Sequence, residues 1–167
     1  MTQTNGYTLD SDCTGIMTDA NGDPIAKITM VHGNDEVLGM SVIPGSNLAL
    51  HFERILSTCT NATLKGEYGF QRNGQRSGAP LLALGTVTFD GQGNATGQRT
   101  ITRNGVVGPV LNLSGFPYRV NPDCTGTQFD SSGALFSRLV VVQNGEEALS
   151  MSLAPGNNVV VHFERTK

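Results

Sequence analysis

The stretch Tyr118–Arg165 reads YRVNPDCTGTQFDSSGALFSRLVVVQNGEEALSMSLAPGNNVVVHFER. Turn formers punctuate it at Asn121-Pro122-Asp123, Ser131-Ser132-Gly133, Asn144-Gly145 and Pro155-Gly156. Short segments rich in Val, Leu, Phe and Thr run between them. Asp and Asn start turns with their side chains, Gly supplies positive φ, and β-branched or aromatic residues suit a pleated surface. Asn144-Gly145 is the dipeptide best fitted to a type I′ hairpin. The spacing predicts four antiparallel strands: Thr125–Asp130, Ala134–Gln143, Glu146–Leu153 and Asn158–Arg165.

The same stretch occurs a second time, 111 residues earlier and without a gap, at Tyr7–Arg54. Nineteen of the 48 aligned positions are identical, including Asp12–Gly15 against Asp123–Gly126 and His51–Arg54 against His162–Arg165. A repeat of this kind dictates architecture. The first copy predicts strands at Cys13–Asp19, Ile25–His32, Glu36–Ile43 and Asn47–Arg54. Between the copies, strands are expected at Lys65–Arg72, Leu81–Phe89, Ala95–Arg103 and Val110–Val120, with turns at Asp90-Gly-Gln-Gly-Asn94 and Asn104-Gly105. The expected organisation is a four-stranded half repeat over 7–54, a linker over 55–61, and an eight-stranded unit over 62–167 whose second half, 118–165, repeats 7–54.

Eight antiparallel strands joined by short hairpins predict an all-β protein built on an up-and-down barrel, because closure removes sheet edges. A sandwich of two sheets is the alternative. The half repeat cannot close alone, so its edges need partners, either within the chain or in a homo-oligomer.

Composition narrows the function classes. Charged residues make up 15% and the formal charge is −3. No basic run tracks a phosphate backbone, which argues against nucleic acid, and no apolar run approaches a membrane-spanning helix. The three cysteines include no Cys-x-x-Cys pair, which disfavours zinc and thioredoxin-type chemistry. A disulfide between Cys59 and Cys124 is expected, with Cys13 spare; the permuted pairing of Cys13 with Cys59 is the alternative. Either fits a secreted or periplasmic protein, although the opening Met-Thr-Gln-Thr-Asn-Gly does not read as a signal peptide.

Leu64-Lys-Gly-Glu-Tyr-Gly-Phe70, Gly85-Thr-Val-Thr-Phe-Asp-Gly-Gln-Gly-Asn94 and Tyr118-Arg-Val-Asn-Pro-Asp-Cys-Thr-Gly126 resemble the motifs of a family of exported bacterial barrel-repeat proteins. The resemblance covers about two-thirds of the chain, plus the half copy. It implies a barrel and is silent on chemistry. The strand count is similar to that of allene oxide cyclase and dirigent barrels, a likeness of fold alone.

Candidate sites follow from alternation along strands. Arg72, Arg76, Arg99 and Arg103 surround the less repeated half; Arg99 is in phase with Ala95, Gly97, Ile101 and Arg103, so it could point inward and hold a carboxylate or phenolate, the alternative being rim charges. Glu36 and Glu147 are in phase with apolar neighbours that include Met40 and Met151, so each could sit at a cavity mouth with a raised pKa. His32 and Tyr68 complete the possible proton carriers, and Tyr118 could line a pocket with its hydroxyl at the rim. The two His-Phe-Glu-Arg runs read as surface pairs with Phe52 and Phe163 facing in. No metal pair, nucleophile elbow or phosphate loop is visible, and no cofactor is expected. The chain reads as a barrel for a small apolar ligand or as an assembly module. The alternative is a cofactor-independent isomerase, cyclase or lyase.

Overall fold

The computed structural model describes residues 5–166. Among them every long element is a strand, with short 3-10 turns at three places and no α-helix. The chain divides between Arg54 and Ile55 into two compact units.

The first unit is an open five-stranded antiparallel sheet in chain order: β1 (Gly6–Leu9), β2 (Thr14–Thr18), β3 (Pro24–Val31), β4 (Glu36–Ser41) and β5 (Ala49–Glu53). The sequence predicts four strands here; the fifth is β1, whose Tyr7 pairs with Met17 and Leu9 with Gly15. Only four residues long, it carries no periodicity of its own and forms because β2 presents it a free edge. Ala26 and Ile28 are buried, while Tyr7, Leu9, Leu38, Met40 and Phe52 are exposed.

The second unit is a closed barrel. Its strands are β6 (Lys65–Arg76), β7 (Ala79–Asp90), β8 (Asn94–Arg103), β9 (Val106–Val120), β10 (Thr125–Phe129), β11 (Leu135–Val142), β12 (Glu147–Ser152) and β13 (Asn157–Arg165). Each pairs with its neighbour in sequence, and β13 closes on β6, with Phe163 opposite Phe70. β6 and β7 outrun the predicted strands. The pair Ser77-Gly78, with φ of 51° and 79°, makes the two-residue turn with both central residues at positive φ that matches strand twist. β9 also begins earlier than its hydropathy suggests, at Val106. Pro109 is accommodated there by register shifts between β8 and β9, the setting in which a strand tolerates proline. At Asn144-Gly145 the chain makes a 3-10 turn that also draws in Gln143, with φ of 45°, 58° and 84° along the three residues, rather than a two-residue hairpin.

The barrel core lies toward one end. Tyr68, Tyr118 and Phe163 pack edge-on around Phe89, with centroids 5.1–5.6 Å from its ring. Leu64 and Cys59 are buried beneath them. The segment expected as a linker therefore packs into the barrel through Leu56 and Cys59. The disulfide forms as expected between Cys59 and Cys124, with Cα atoms 4.9 Å apart, while Cys13 is free and exposed.

Pairings within β2–β5 and within β10–β13 run at the same offsets. Val31 faces Glu36 as Val142 faces Glu147, and Glu36 faces Glu53 as Glu147 faces Glu164. The register shift of β2 on β3 at Thr18 falls where β10 shifts on β11 at Phe129.

Candidate functional site

Strand alternation and barrel closure together place one cluster of polar side chains inside the second unit. On β6 the inward set is Tyr68, Phe70 and Arg72; on β8 it is Ala95, Arg99 and Ile101. β7 lies between them with Gly85 opposite both Phe70 and Arg99. A Cβ at Gly85 would sit 2.0 Å from the Gln98 carbonyl oxygen and 2.9 Å from the Phe70 ring. Glycine there clears the space beneath Arg99.

These residues border a cavity of about 70 Å³, walled by Phe70, Val87, Leu113, Phe116, Val159, Val161 and Phe163. Because about 10–15 Å³ holds one water, the space suits a small organic group and not a long chain. Arg72 is 8% exposed, and its guanidinium lies 5.9 Å from the centre of the Phe136 ring. The Nε atoms of Arg72 and Arg99 are buried without a hydrogen-bond acceptor. Among the described residues no carboxylate pairs with Arg72, Arg76, Arg99 or Arg103. Burial lowers the Arg72 pKa to about 10, and the neighbouring charges of Arg99, Arg76 and Arg103 push the same way. Arg99 is lowered by burial and then by Arg103 and Arg76. Both remain cations at neutral pH.

The remaining wall is polar but uncharged. The Ser137 hydroxyl donates to Gln128 Oε1 at 2.5 Å, and Ser150 Oγ lies 3.2 Å from the same oxygen and 3.1 Å from Ser137 Oγ. Gln128, Ser137 and Ser150 come from β10, β11 and β12. The site therefore offers cationic donors on β6 and β8, hydroxyl and amide groups across from them, and aromatic walls between.

Of the residues singled out from sequence, Arg99 lines this cavity. Tyr68 does not: its hydroxyl donates to the Gly145 carbonyl and accepts from Arg165 Nη2 at 2.9 Å, and burial raises its pKa against the pull of Arg165. The Tyr118 hydroxyl accepts from the Gly91 N–H at 3.0 Å and lies 2.8 Å from the Leu64 carbonyl oxygen. Burial pushes it up to about 12. Both phenols are occupied in joining strands to turns. Glu147 pairs with His162 at 2.7 Å. Glu36 pairs with His32 and, at 2.8 Å, with His51, and the His32 contact leads in holding its carboxyl below the ordinary range. Met40 and Met151 are exposed. Within the barrel, Tyr68, Tyr118, Glu147 and Met151 do not line the cavity with Arg99; Glu36, His32 and Met40 belong to the first unit. Sequence reasoning grouped Arg72 with Arg76, Arg99 and Arg103 in the less repeated half without assigning it to the site, and missed Gln128, Ser137 and Ser150. The available signal was Ser137 in phase with Leu139 and Val141.

No family model, curated protein or solved structure matches the chain. Among the described residues no three His, Cys, Asp or Glu side chains form a cluster able to hold a metal, and no helix is long and apolar enough to cross a membrane.

Proposed function

We propose that the barrel binds a small organic anion, a carboxylate on a compact apolar body, with Arg72 and Arg99 as its counter-charges. One observation carries this reading: Arg72, which is buried, and Arg99, which is half-buried, line the same cavity, and the buried Nε–H donor of each has no acceptor. A buried cation without a partner costs stability, and a carboxylate would take up these donors in charge-assisted hydrogen bonds. Arg76 and Arg103 add long-range attraction, and the Ser137–Ser150–Gln128 group can accept or donate to a polar substituent. The buried disulfide fits an oxidising compartment, so the ligand would be met outside the cytoplasm.

Binding is favoured over the isomerase, cyclase or lyase alternative because Glu147 and Tyr68, the candidate proton carriers within the barrel unit, lie outside the cavity lining. The test is calorimetric titration with butyrate and benzoate against their primary amides. The acids should bind and the amides should not. Arg99→Met should weaken acid binding about 10- to 100-fold, the worth of roughly 1.5–3 kcal/mol for a hydrogen bond to a charged group. Equal affinity for acid and amide would reject the reading.

A further inference from the structure

We propose that β2–β5 is a second wall for the barrel, able to replace β10–β13 on β6–β9, and that Cys13 is the alternative partner of Cys59. The chain holds one half-barrel of the β6–β9 kind and two sheets whose registers match at an offset of 111 residues. The two sheets compete for one complement.

Cys13 is kept in the conformation that its counterpart has in the disulfide. Cys13 and Cys124 have φ of 66° and 64°. Thr14 donates to Asp12 Oδ1 from N and Oγ1 at 3.0 and 2.7 Å, and Thr125 donates to Asp123 Oδ1 at the same two distances. The carbonyl of each cysteine accepts one strand N–H at 2.9 Å, from Met30 and from Val141. The surface matches too. Met17, Ile28, Met30, Val37 and Phe52 line an apolar groove, at the positions where Gln128, Leu139, Val141, Ala148 and Phe163 meet the other half of the barrel. β5 and β6 are consecutive strands, so their pairing closes a single hairpin, and Val120 would take the place of Leu9 opposite Gly15.

The covalent step is a thiol–disulfide exchange. The Cys13 thiolate attacks Cys59 Sγ, the Cys59–Cys124 bond breaks as Cys13–Cys59 forms, and Cys124 leaves as a thiolate that takes a proton. No net oxidant is consumed. One residue biases the exchange. A Cβ at Gly145 would lie 2.2 Å from the Thr63 carbonyl oxygen, and the counterpart of Gly145 is Asn34. The exchanged barrel must shift there, which favours the Cys59–Cys124 form. Exchange would also change the cavity: Met17, Ala26 and Gly39 would stand where Gln128, Ser137 and Ser150 stand, turning a hydroxyl-bearing wall into an apolar one. The same chain would then select anions with wholly apolar bodies.

The test is disulfide mapping by mass spectrometry after equilibration of the full chain in a glutathione redox buffer and acid quench. Asn34→Gly should raise the Cys13–Cys59 fraction at least tenfold over the parent. Cys124→Ala should form Cys13–Cys59 within the 17.7 kDa monomer. Two free thiols in a folded Cys124→Ala protein, or a Cys13–Cys13 dimer, would overturn the proposal. Should Cys124→Ala fail to fold, an unchanged Cys13–Cys59 fraction in Asn34→Gly would overturn it equally.

Discussion

Arg72 is held among Phe70, Phe136 and Val161 and, among the described residues, no carboxylate pairs with it, so without ligand it is a charge that the barrel would be more stable without. Arg72→Met keeps the stem and removes the charge. Urea denaturation of the ligand-free protein should show stabilisation of about 1–3 kcal/mol, and a loss of stability would show that the guanidinium has a partner. Tyr68 has the opposite role, since its hydroxyl on β6 joins Gly145 in the turn after β11 to Arg165 on β13. Tyr68→Phe should cost about 0.5–1.5 kcal/mol, the net worth of one hydrogen bond, because Arg165 Nη2 still donates to the Gly145 carbonyl at 3.0 Å; carboxylate binding should be unchanged, and a loss of binding at full stability would place the phenol in the site. At this scale Arg99 was legible, because in-phase apolar neighbours declare an inward arginine. Ser137 and Ser150 were not, because serine on a strand ordinarily faces water and their contact with Gln128 depends on three strands lying side by side. Tyr118, Met40 and Met151 were read by phase alone, which cannot tell a phenol consumed by turn carbonyls from one facing a ligand.

The hairpins were legible because their turns are chemical. Asp90 Oδ1 accepts N–H groups of Gln92, Gly93 and Asn94 at 2.7–2.9 Å, and Asn94 leads in holding its pKa below the ordinary 3.8. Asp123 and Asp130 are lowered similarly, through Thr125 and Ser132. A depressed folded-state pKa gives stability that is present above the unfolded value and is lost as pH falls through the folded one. The denaturation midpoint should therefore be flat near neutrality and fall as pH drops below 3.8. Asp90→Asn should flatten part of that fall, and an unchanged acid limb would exclude the turn carboxylates as its cause. The disulfide closes a loop of 65 residues. Its reduction should cost about 4 kcal/mol on the chain-entropy account, read as a lower denaturation midpoint; an unchanged midpoint would show that the barrel end holds Cys59 without it. Elements missed in the sequence were those set by neighbours: β1, which exists through pairing with β2, and the first residues of β9, where a register shift on β8 accommodates Pro109.

At the scale of the whole molecule, the barrel has an aromatic core beneath which Leu64 and Cys59 are buried, and four arginines with which no carboxylate pairs among the described residues. The sequence repeat led to a half repeat over 7–54 with open edges; the structure divides the chain after Arg54, and the first unit carries an exposed apolar face. The homo-oligomer expected from its open edges is one way to cover that face; the matched registers favour exchange within the chain. The central claim remains the anion site, and the arginine Nε–Hε resonances in ¹⁵N-resolved NMR report on it directly. On titration with benzoate, the Arg72 and Arg99 signals should shift and saturate together, and benzamide at the same concentrations should leave them in place. Signals that stay still with benzoate, or move equally with both compounds, would contradict the account.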